Sequence, residues 1–577
     1  KKDIGMIIVS IVLVVFQVWL DLKLPDYMSA ITRLVQTDGA AMADILRQGG
    51  YMLLCAFGSL ISACIVGFLA SNLSANFSYT LRSKVYNKVL NLSTAEVKQF
   101  QTSSLITRTT NDITQLEMLI SIGLQLLIKA PIMAVWAITK ILNKSIEWSM
   151  LTAGCVVILL CVVIGLMLIV LPRFEKVQKL IDKINNVTRE SITGIRVIRA
   201  FNAEKYQENR FEKVNDDLTN MQLFNQKCFA ILSPIMMLVM NGLTLGIYAI
   251  GTYLINNAII SVKISLFSDM VIFSSYGIQV IMSFLMLAMI FMMWPRAQIS
   301  ARRINEVLDC KVSIKDGKDD IKPTEVGTVE FKNVSFKYPD ADEYLLHNIS
   351  FKVNKGETIA FIGSTGSGKS SLINLVPRFY DATDGEVLVD GVNVKNYSLE
   401  ELHNKLGYIP QKAVMFTGTV KSNVAYGTKK GKKPSDKKVS EAINIAQAEE
   451  FVSKMEGGLD AHIARGGTNV SGGQKQRLAI ARSIARDPEI YIFDDSFSAL
   501  DYKTDANLRS ELKKYTKDAT SMIVAQRIGT IINADKIVVL DKGTCVGIGT
   551  HQELLKNCEV YKEIALSQLS KEELENA

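Results

Sequence analysis

The chain has 577 residues, of which 48% are hydrophobic and 21% are charged. At roughly 150 residues per domain this length allows three or four domains, and the apolar content excludes both a disordered chain and a single small globular domain. The net charge of +8 fits nucleic acid, anionic lipid or a nucleotide as partner, so charge alone selects none of them. Eight cysteines without a CxxC spacing indicate neither a disulfide framework nor a zinc site.

Six apolar stretches occupy the first half of the chain, each near the ~20 residues that a helix needs to cross a bilayer. They are Ile4–Leu22, Tyr51–Leu73, Leu119–Leu142, Trp148–Leu171, Phe229–Ile255 and Ile272–Trp294. For the first stretch a cleaved signal peptide is the alternative, but no small-residue cleavage site follows it. For all six the alternative is a soluble core, which does not explain the uncharged run Gly154–Leu171. The sequence therefore predicts six membrane-spanning helices.

The connections between these stretches predict the orientation of the chain. Two of them, 74–118 and 172–228, are long, helical in pattern and rich in Lys and Arg, whereas 143–147 and 256–268 are short. By the positive-inside rule, the N-terminus, both long connections and everything after the sixth span face the cytosol. Lys129 and Lys140, inside the third stretch, are expected to extend toward the membrane surface.

A change in composition near residue 311 predicts a domain boundary. We expect a membrane domain over 1–310, a polar linker over 311–326 and a soluble domain over 327–577 in which strands alternate with helices.

A phosphate-binding motif follows the predicted strand Thr358–Ile362. It matches GxxxxGK[ST] and is followed by a helical pattern from Ser371, and its residues are Gly363, Ser364, Thr365, Gly366, Ser367, Gly368, Lys369 and Ser370. Glycines let backbone N–H groups face the phosphates, Lys369 supplies charge, and Ser370 is a ligand for Mg²⁺. A second strand, 490–493, ends in Asp494, the acidic group expected to hold the hydration shell of the metal ion. Together they predict a P-loop domain that binds ATP and Mg²⁺.

A second glycine motif lies between these two elements and opens a helix. Val470 precedes Ser471, Gly472, Gly473 and Gln474, and the run resembles the LSGGQ signature of the ATP-binding-cassette (ABC) family. A helix N-terminus with a hydroxyl and two glycines suits a γ-phosphate held by another subunit. The resemblance covers the whole chain and implies a half-transporter of the type-I exporter class. The expected fold is an α-helical membrane domain of six transmembrane helices followed by an α/β P-loop ATP-binding-cassette domain.

The resemblance also implies roles for residues outside the two glycine motifs. Tyr338 would stack on adenine, Ser371 would complete the ATP-binding loop, and Gln411 would touch Mg²⁺ and sense the membrane domain. The D-loop would consist of Ser498, Ala499, Leu500 and Asp501. Short coupling helices near Ala95–Ser103 and Gly194–Glu204 would connect the membrane helices to the cassettes.

Three positions depart from the family pattern. Asp495 replaces the glutamate that orients the attacking water, and drawing a carboxylate back by about 1 Å costs ~10²-fold in a positioned reaction. Gln526 replaces the histidine that contacts the γ-phosphate, and an amide cannot become a cation. The segment Ile463-Ala464-Arg465-Gly466-Gly467 stands where the family commonly has an acidic-containing GERG. Drift within one active enzyme is the alternative, but two changes at one γ-phosphate favour an impaired site.

These features predict a heterodimer. The chain would hold ATP at a degenerate site through Lys369 and supply its signature to the competent site of a second, non-identical half-transporter. We expect a multi-pass protein of a bacterial cell membrane with a cytosolic nucleotide-binding domain, exporting amphipathic drugs or lipids without any nucleic acid partner. A lipid translocase and a cassette-gated regulatory membrane protein are the alternatives.

Overall fold

The structure is a computed structural model that describes residues 2–37, 39, 41–142, 146–317, 323–427, 429 and 431–569. The chain forms two compact units. The first contains 1–89 and 103–309, and the second contains 90–102 and 310–577. The short segment 90–102 therefore belongs to the second unit, because most of its contacts are with that unit. The predicted linker 311–326 lies partly outside the described residues.

The first half of the chain is helical. Its helices are α1 (Lys2–Gln36), α2 (Met42–Leu90), α3 (Thr94–Phe100), α4 (Thr102–Thr109), α5 (Asn111–Leu142), α6 (Ile146–Thr193), α7 (Ile195–Ala200), α8 (Glu204–Asn257) and α9 (Ile260–Leu308). Among the described residues, six helices are long and apolar enough to cross a membrane: α1, α2, α4 with α5, α6, α8 and α9. The six predicted spans are confirmed by this count. Each helix extends past its apolar stretch, and α3 and α7 lie where the resemblance places coupling helices.

The core of the first unit is packed between α1, α5, α6, α8 and α9. Trp148 on α6 is buried and donates its indole N–H to the carbonyl of Ile247 at 3.1 Å. A Cβ on Gly251 would come within 2.5 Å of the Met270 sulfur and 3.3 Å of the Trp148 ring. A larger residue at position 251 would therefore displace the Met270 side chain from its place between α8 and α9.

Two lysines within the predicted spans are paired with carboxylates. Lys129 Nζ lies 3.0 Å from Asp21 Oδ2, and Lys140 Nζ lies 2.8 Å from Asp26 Oδ2. Tyr276 on α9 donates to Asp26 Oδ1 at 2.7 Å. Each lysine thus neutralises an acidic residue on α1, because an unpaired charge within a membrane is costly, and its extension toward the membrane surface stays a prediction.

The second unit is built on a ten-stranded sheet with the strand order β5-β4-β1-β2-β12-β11-β3-β10-β9-β6. The strands are β1 (Val329–Phe336), β2 (Leu346–Val353), β3 (Thr358–Gly363), β4 (Asp384–Val389), β5 (Val392–Asn393), β6 (Leu406–Ile409), β9 (Ile490–Asp494), β10 (Thr520–Val524), β11 (Lys536–Asp541) and β12 (Thr544–Gly549). A separate pair joins β7 (Gly418–Thr419) to β8 (His462–Ile463).

The helices of this unit follow the strands along the chain. They are α10 (Lys369–Ile373), α11 (Leu399–Lys405), α12 (Val420–Val424), α13 (Asp436–Ile445), α14 (Glu449–Lys454), α15 (Gly472–Ala485), α16 (Tyr502–Tyr515), α17 (Ile528–Ile531), α18 (His551–Asn557) and α19 (Glu559–Gln568). The membrane helices followed by this sheet-containing domain confirm the predicted fold class.

The parallel part of the sheet positions the candidate site. Strand β3 pairs in parallel with β10 and β11, and β9 pairs in parallel with β10 and β6. Their apolar residues are buried, as expected for parallel strands covered on both faces. The loops after parallel strands meet at one edge of the sheet, so the motifs that end β3, β6, β9 and β10 are brought together there.

Helix α3, from the first long connection, is fixed within the second unit by its acidic residue. Glu96 accepts a hydrogen bond from the backbone N–H of Ser93 at 2.6 Å and another from that of Ser313 at 3.2 Å. Burial opposes ionisation, yet hydrogen bonds from the side chains and backbone of Ser313 and Ser93 leave the pKa of the Glu96 carboxyl below its usual value. The beginning of α3 is thus capped and tied to the chain just after α9.

Candidate nucleotide-binding site

The P-loop lies between β3 and α10, and two glycines fix its path. A Cβ on Gly363 would lie 2.0 Å from the carbonyl oxygen of Leu540, so only glycine fits against β11 there. Gly368 caps α10 at φ 93, a left-handed conformation that favours glycine. Ser364, Thr365 and Gly366 are exposed at the tip of the loop, and Ser367 is buried beneath it.

Lys369 folds over the loop that contains it. Its ammonium donates to the carbonyl oxygens of Gly363 and Ser364, at 2.8 Å each. Burial holds the pKa of the Lys369 ammonium below its usual range. Because backbone carbonyls are weaker partners for a cation than phosphate oxygens, this ammonium is placed to exchange them for the phosphates of a nucleotide.

The candidate metal ligands also meet at the end of the P-loop. Ser370 Oγ donates to Asp494 Oδ1 at 2.7 Å, and Tyr408 Oη lies 3.4 Å from Asp494 Oδ2. Burial raises the pKa of the Asp494 carboxyl. A hydroxyl and a carboxylate side by side fit Mg²⁺, which prefers oxygen ligands and binds few protein groups when phosphates complete its shell. When bound, Mg²⁺ would be held by Ser370, Gln411 and Asp494 and would neutralise phosphate charge.

Asp495 stands at the centre of the predicted catalytic group. It is 7% exposed and has a positive φ of 48, which is unusual for a residue other than glycine. Its Oδ2 accepts hydrogen bonds from Gln526 Nε2 at 2.7 Å and from Gln411 Nε2 at 3.1 Å. Three residues predicted separately from the sequence are thus joined at one oxygen atom.

The C-terminal helix holds the loop that carries Gln526, a connection that the sequence analysis missed. Gln568 on α19 donates to the carbonyl of Gln526 and accepts from the backbone N–H of Ile528, both at 2.8 Å. A polar residue 42 positions from its partner leaves no recognisable pattern in the sequence. The loop after β10 is therefore held at its backbone.

Tyr338 lies next to the P-loop helix in an aromatic cluster. Its hydroxyl is 2.7 Å from Ser371 Oγ, and its ring meets that of Tyr380 edge-on, with 5.2 Å between centroids. Lys98 of α3 also reaches this cluster, with its ammonium 5.6 Å from the Tyr338 centroid and 5.8 Å from that of Tyr380. The predicted adenine-stacking tyrosine is therefore in cation–π contact with the first long connection.

The signature begins helix α15. Ser471 caps the helix and forms a reciprocal pair with Gln474, whose side chain accepts from the Ser471 N–H at 2.8 Å. Ser471 and Gly472 are exposed, so the free backbone donors of this helix end face outward. An anion presented from outside would meet these donors and the positive end of the helix dipole.

The predicted D-loop connects Asp495 to the signature. Ser498 Oγ donates to the carbonyl of Asp495 at 2.9 Å, and Asp501 caps α16 by accepting from the Thr504 N–H at 3.0 Å. Leu500 is buried, and a Cβ on Gly473 would lie 3.2 Å from the carbonyl oxygen of Ala499. The signature and the D-loop thus lie against each other.

One further residue missed from the sequence connects the signature helix to Gln411. Gln476 is 2% exposed and donates to the carbonyl of Pro410 at 3.0 Å. Because this amide lies in the helix that the signature starts, a shift of α15 would be transmitted to the loop carrying Gln411.

The predicted residues thus fall into two groups. The P-loop, Asp494, Asp495, Gln411, Gln526 and Tyr338 are assembled at one sheet edge, while the signature contacts the D-loop. Within the part of the chain that the structure describes, no hydrogen bond joins the signature to the P-loop.

Comparison with known proteins identifies this arrangement. The family model for the ABC transporter transmembrane region matches residues 7–284, and the model for the ABC transporter cassette matches 346–498. The chain therefore belongs to the ABC transporter family, as an exporter half-transporter in which a membrane domain is fused to a nucleotide-binding domain.

Particular relatives extend this similarity over almost the whole chain. An uncharacterized ABC transporter ATP-binding protein of Mycobacterium tuberculosis is 37% identical over 554 residues, 94% of this chain and 93% of the relative. A putative multidrug export ATP-binding/permease protein of Bacillus subtilis is 31% identical over 504 residues, 84% and 83% of the two chains. A solved bacterial Atm1-family ABC exporter with ATP bound shares the fold, with a TM-score of 0.83, 24% identity and coverage of 98% and 99%.

Proposed function

We propose that this chain is one half of a heterodimeric exporter and binds ATP at a degenerate site of its own. Lys369, Ser370 and Tyr338 hold that nucleotide, and Ser471, Gly472, Gly473 and Gln474 complete the hydrolytic site of a second, non-identical half-transporter. The observation that carries the proposal is the hydrogen bonding of Asp495, the carboxylate predicted to orient water.

A general base needs a free lone pair within reach of the water it activates. Asp495 has one methylene fewer than glutamate, and its Oδ2 already accepts from two amides, Gln411 and Gln526, so only Oδ1 of the shortened carboxylate remains to orient a water. Neither amide can take up a proton to become a cation, so neither replaces the histidine of the family pattern. The combination supports nucleotide binding with slow hydrolysis.

The signature supports the second part of the proposal. Its hydroxyl and glycines match the family pattern, with Val470 in place of the first leucine, and Ser471 and Gly472 are exposed. A chain with an intact signature and an altered catalytic group can still support hydrolysis if its partner has the family's glutamate and histidine at the positions of Asp495 and Gln526.

For the transported substrate we propose amphipathic compounds, drugs or lipids, moved out of the cytosol or the inner leaflet of a bacterial cell membrane. Multidrug export is named for a Bacillus subtilis relative and supports this class. A lipid translocase and a cassette-gated regulatory membrane protein are the alternatives. Labelled lipid that crosses leaflets without dye efflux identifies the translocase, and gating without substrate-stimulated ATP turnover identifies the regulator.

The experiment that tests the proposal compares two substitutions in the purified native complex. We expect Asp495→Ala to leave the ATPase rate of the complex nearly unchanged and the matching carboxylate substitution in the partner to abolish it. Copurification from membranes identifies that partner. Equal loss from both substitutions, or a fully active complex containing only copies of this chain, would contradict the degenerate site.

A further inference from the structure

Two cavities of unlike chemistry adjoin each other in the first unit. An apolar cavity of about 580 Å³ lies between α6, α8 and α9, and its lining includes Leu160, Met236, Phe284 and Trp294. A second cavity of about 860 Å³ lies against the same three helices and the start of α5. Pro295 lines both, so the two volumes meet at one residue of α9. Both sizes fall in the range of small-molecule sites.

The second cavity is polar and contains a buried acceptor without a partner. Asn225 is 6% exposed, lines this cavity, and its Oδ1 has no hydrogen-bond partner among the described residues. An unsatisfied buried oxygen is costly, so such an atom in a folded protein calls for a partner, either an ordered water or a bound group. An incoming donor would satisfy Asn225, whereas another acceptor would not.

A carboxylate of the same cavity has one oxygen without a hydrogen bond, although that oxygen is in an ion pair. Asp112 Oδ1 accepts from Ser300, while its buried Oδ2 accepts no hydrogen bond from the described residues and lies 3.4 Å from Arg303 Nε. Among the described residues that line this cavity, the two buried side-chain atoms without a hydrogen bond, Asn225 Oδ1 and Asp112 Oδ2, are therefore both acceptors. The matching ligand group is a hydrogen-bond donor, and an ammonium would share the Asp112 carboxylate with Arg303.

The positions of the two cavities along the helices indicate that the ligand also has an apolar chain. Asp112, Asn225 and Pro295 lie just outside the apolar stretches of their helices, on the predicted cytosolic side, whereas the apolar cavity begins inside those stretches. A molecule occupying both would place its head at the membrane boundary and its chain in the inner leaflet.

From these observations we propose that the two cavities form one binding site for amphiphiles with a primary ammonium head group and an aliphatic chain. The ammonium donates to Asn225 Oδ1 and Asp112 Oδ2, and the chain fills the space beside Met236 and Trp294. Arg296, whose guanidinium lies 5.5 Å from the Phe174 centroid, lines the polar cavity and can pair with a phosphate next to the amine. This inference rests on the proposed export of amphipathic compounds and names where and how they are bound.

The test measures binding to the full-length protein, purified with its native partner, in phosphatidylcholine nanodiscs without ATP. The probes are tetradecylamine and tetradecyltrimethylammonium, each with a diazirine at the chain end. They share charge and chain length, but only the amine carries N–H donors. We expect the amine to bind about 10-fold more tightly. Crosslinks should fall within 159–171, 232–236 or 284–294.

Substitutions on α8 distinguish the contribution of the ligand's head group to binding from that of its aliphatic chain. Asn225→Leu should weaken amine binding about 10-fold and leave the trimethyl probe unchanged, while Asn225→Asp should tighten amine binding. Met236→Trp should weaken both probes because it fills the apolar cavity. The matched controls are Asn220→Leu and Leu238→Trp, at exposed positions of the same helix, which should change neither.

Phosphatidylethanolamine added to the nanodiscs distinguishes the source of the amine. Competition with tetradecylamine supports the site and assigns it a lipid, and binding without such competition supports the site and assigns it a free amphiphile. Equal affinity for the two probes, crosslinks outside the cavity, or no effect of Asn225→Leu would overturn the inference. Because the binding test contains no ATP, an outcome that overturns this inference does not bear on the proposed degenerate site, which the ATPase comparison tests separately.

Discussion

At the scale of single residues, Asp495 shows how a small change in side-chain length acts through its neighbours. The missing methylene matters because the shorter carboxylate is held in place by Gln411 and Gln526, which both donate to Oδ2. Reversing Asp495 alone would leave Gln526 beside a longer carboxylate, still without an ionisable ring. The two departures from the family pattern should therefore be coupled.

Restoring the family residues should reactivate this site. We expect Asp495→Glu with Gln526→His to raise the ATPase rate of the complex several-fold when the partner's site is inactivated, and each single change to give much less. The measurement is steady-state phosphate release. Lys369→Ala in the double variant should remove the gain, because that lysine holds the phosphates. A gain from Asp495→Glu alone equal to that of the pair would contradict the coupling.

At the scale of elements, the contacts that position the site come from segments far apart in sequence. Helix α19 holds the loop after β10 through Gln568, and α3 brings Lys98 to the ring of Tyr338. Within the membrane domain, α1 is tied to α5 by two ion pairs. Each of these contacts joins two elements whose sequences, read separately, give no sign that the elements pack together.

Loosening α19 should free the backbone of the Gln526 loop. In Gln568→Leu, the Ile528 amide loses the acceptor that it contacts at 2.8 Å, so its hydrogen exchange should accelerate at least about 10-fold. Gln568→Glu keeps the acceptor and should retain most of the protection. Hydrogen–deuterium exchange of peptides covering 524–531 measures this. Unchanged exchange in the leucine variant would show that the loop is held elsewhere.

Breaking one ion pair between α1 and α5 should destabilise the membrane domain. Asp21→Asn leaves the Lys129 ammonium without its carboxylate partner at 3.0 Å, and we expect the melting temperature of the detergent-solubilised protein to fall by about 5 °C. Asp21→Asn with Lys129→Gln removes both charges and should recover most of that loss. If the double variant is less stable than the single one, the pairing does not account for the effect.

At the scale of the whole molecule, the 48% hydrophobic content is an average over two unlike halves. The six long helices concentrate apolar residues on surfaces that only a membrane can cover, whereas the second unit buries its apolar strands in its own core. The basic connections carry charge on the predicted cytosolic side. The net charge of +8 then fits the predicted orientation and the phosphate-binding motif.

This orientation predicts which positions are accessible from outside an intact cell. In a variant with its eight native cysteines replaced, Ala258→Cys, between α8 and α9, should react with a membrane-impermeant maleimide. Lys337→Cys, in the loop after β1, should react only after the cells are opened. Mass-shift labelling measures both, and labelling of Lys337→Cys in intact cells would reverse the assigned orientation.

The sequence by itself determined the features that depend on local pattern: six apolar spans, the P-loop, the strand ending in Asp494, and the signature. Hydrophobic length and glycine spacing encode these directly, because a bilayer requires long apolar helices and phosphate requires exposed backbone N–H groups. The departures from the family pattern at Asp495 and Gln526 could also be recognised from the local sequence.

Only the tertiary structure decided how these parts are joined. It placed two amides on one oxygen of Asp495, tied Gln568 and Gln476 to the loops of the site, paired Lys129 with Asp21, and left Asn225 facing a cavity. These contacts join residues tens to more than a hundred positions apart, and a single polar side chain has no periodicity that would reveal its partner. The physical reason is that burial, rather than sequence neighbourhood, forces each polar group to find one.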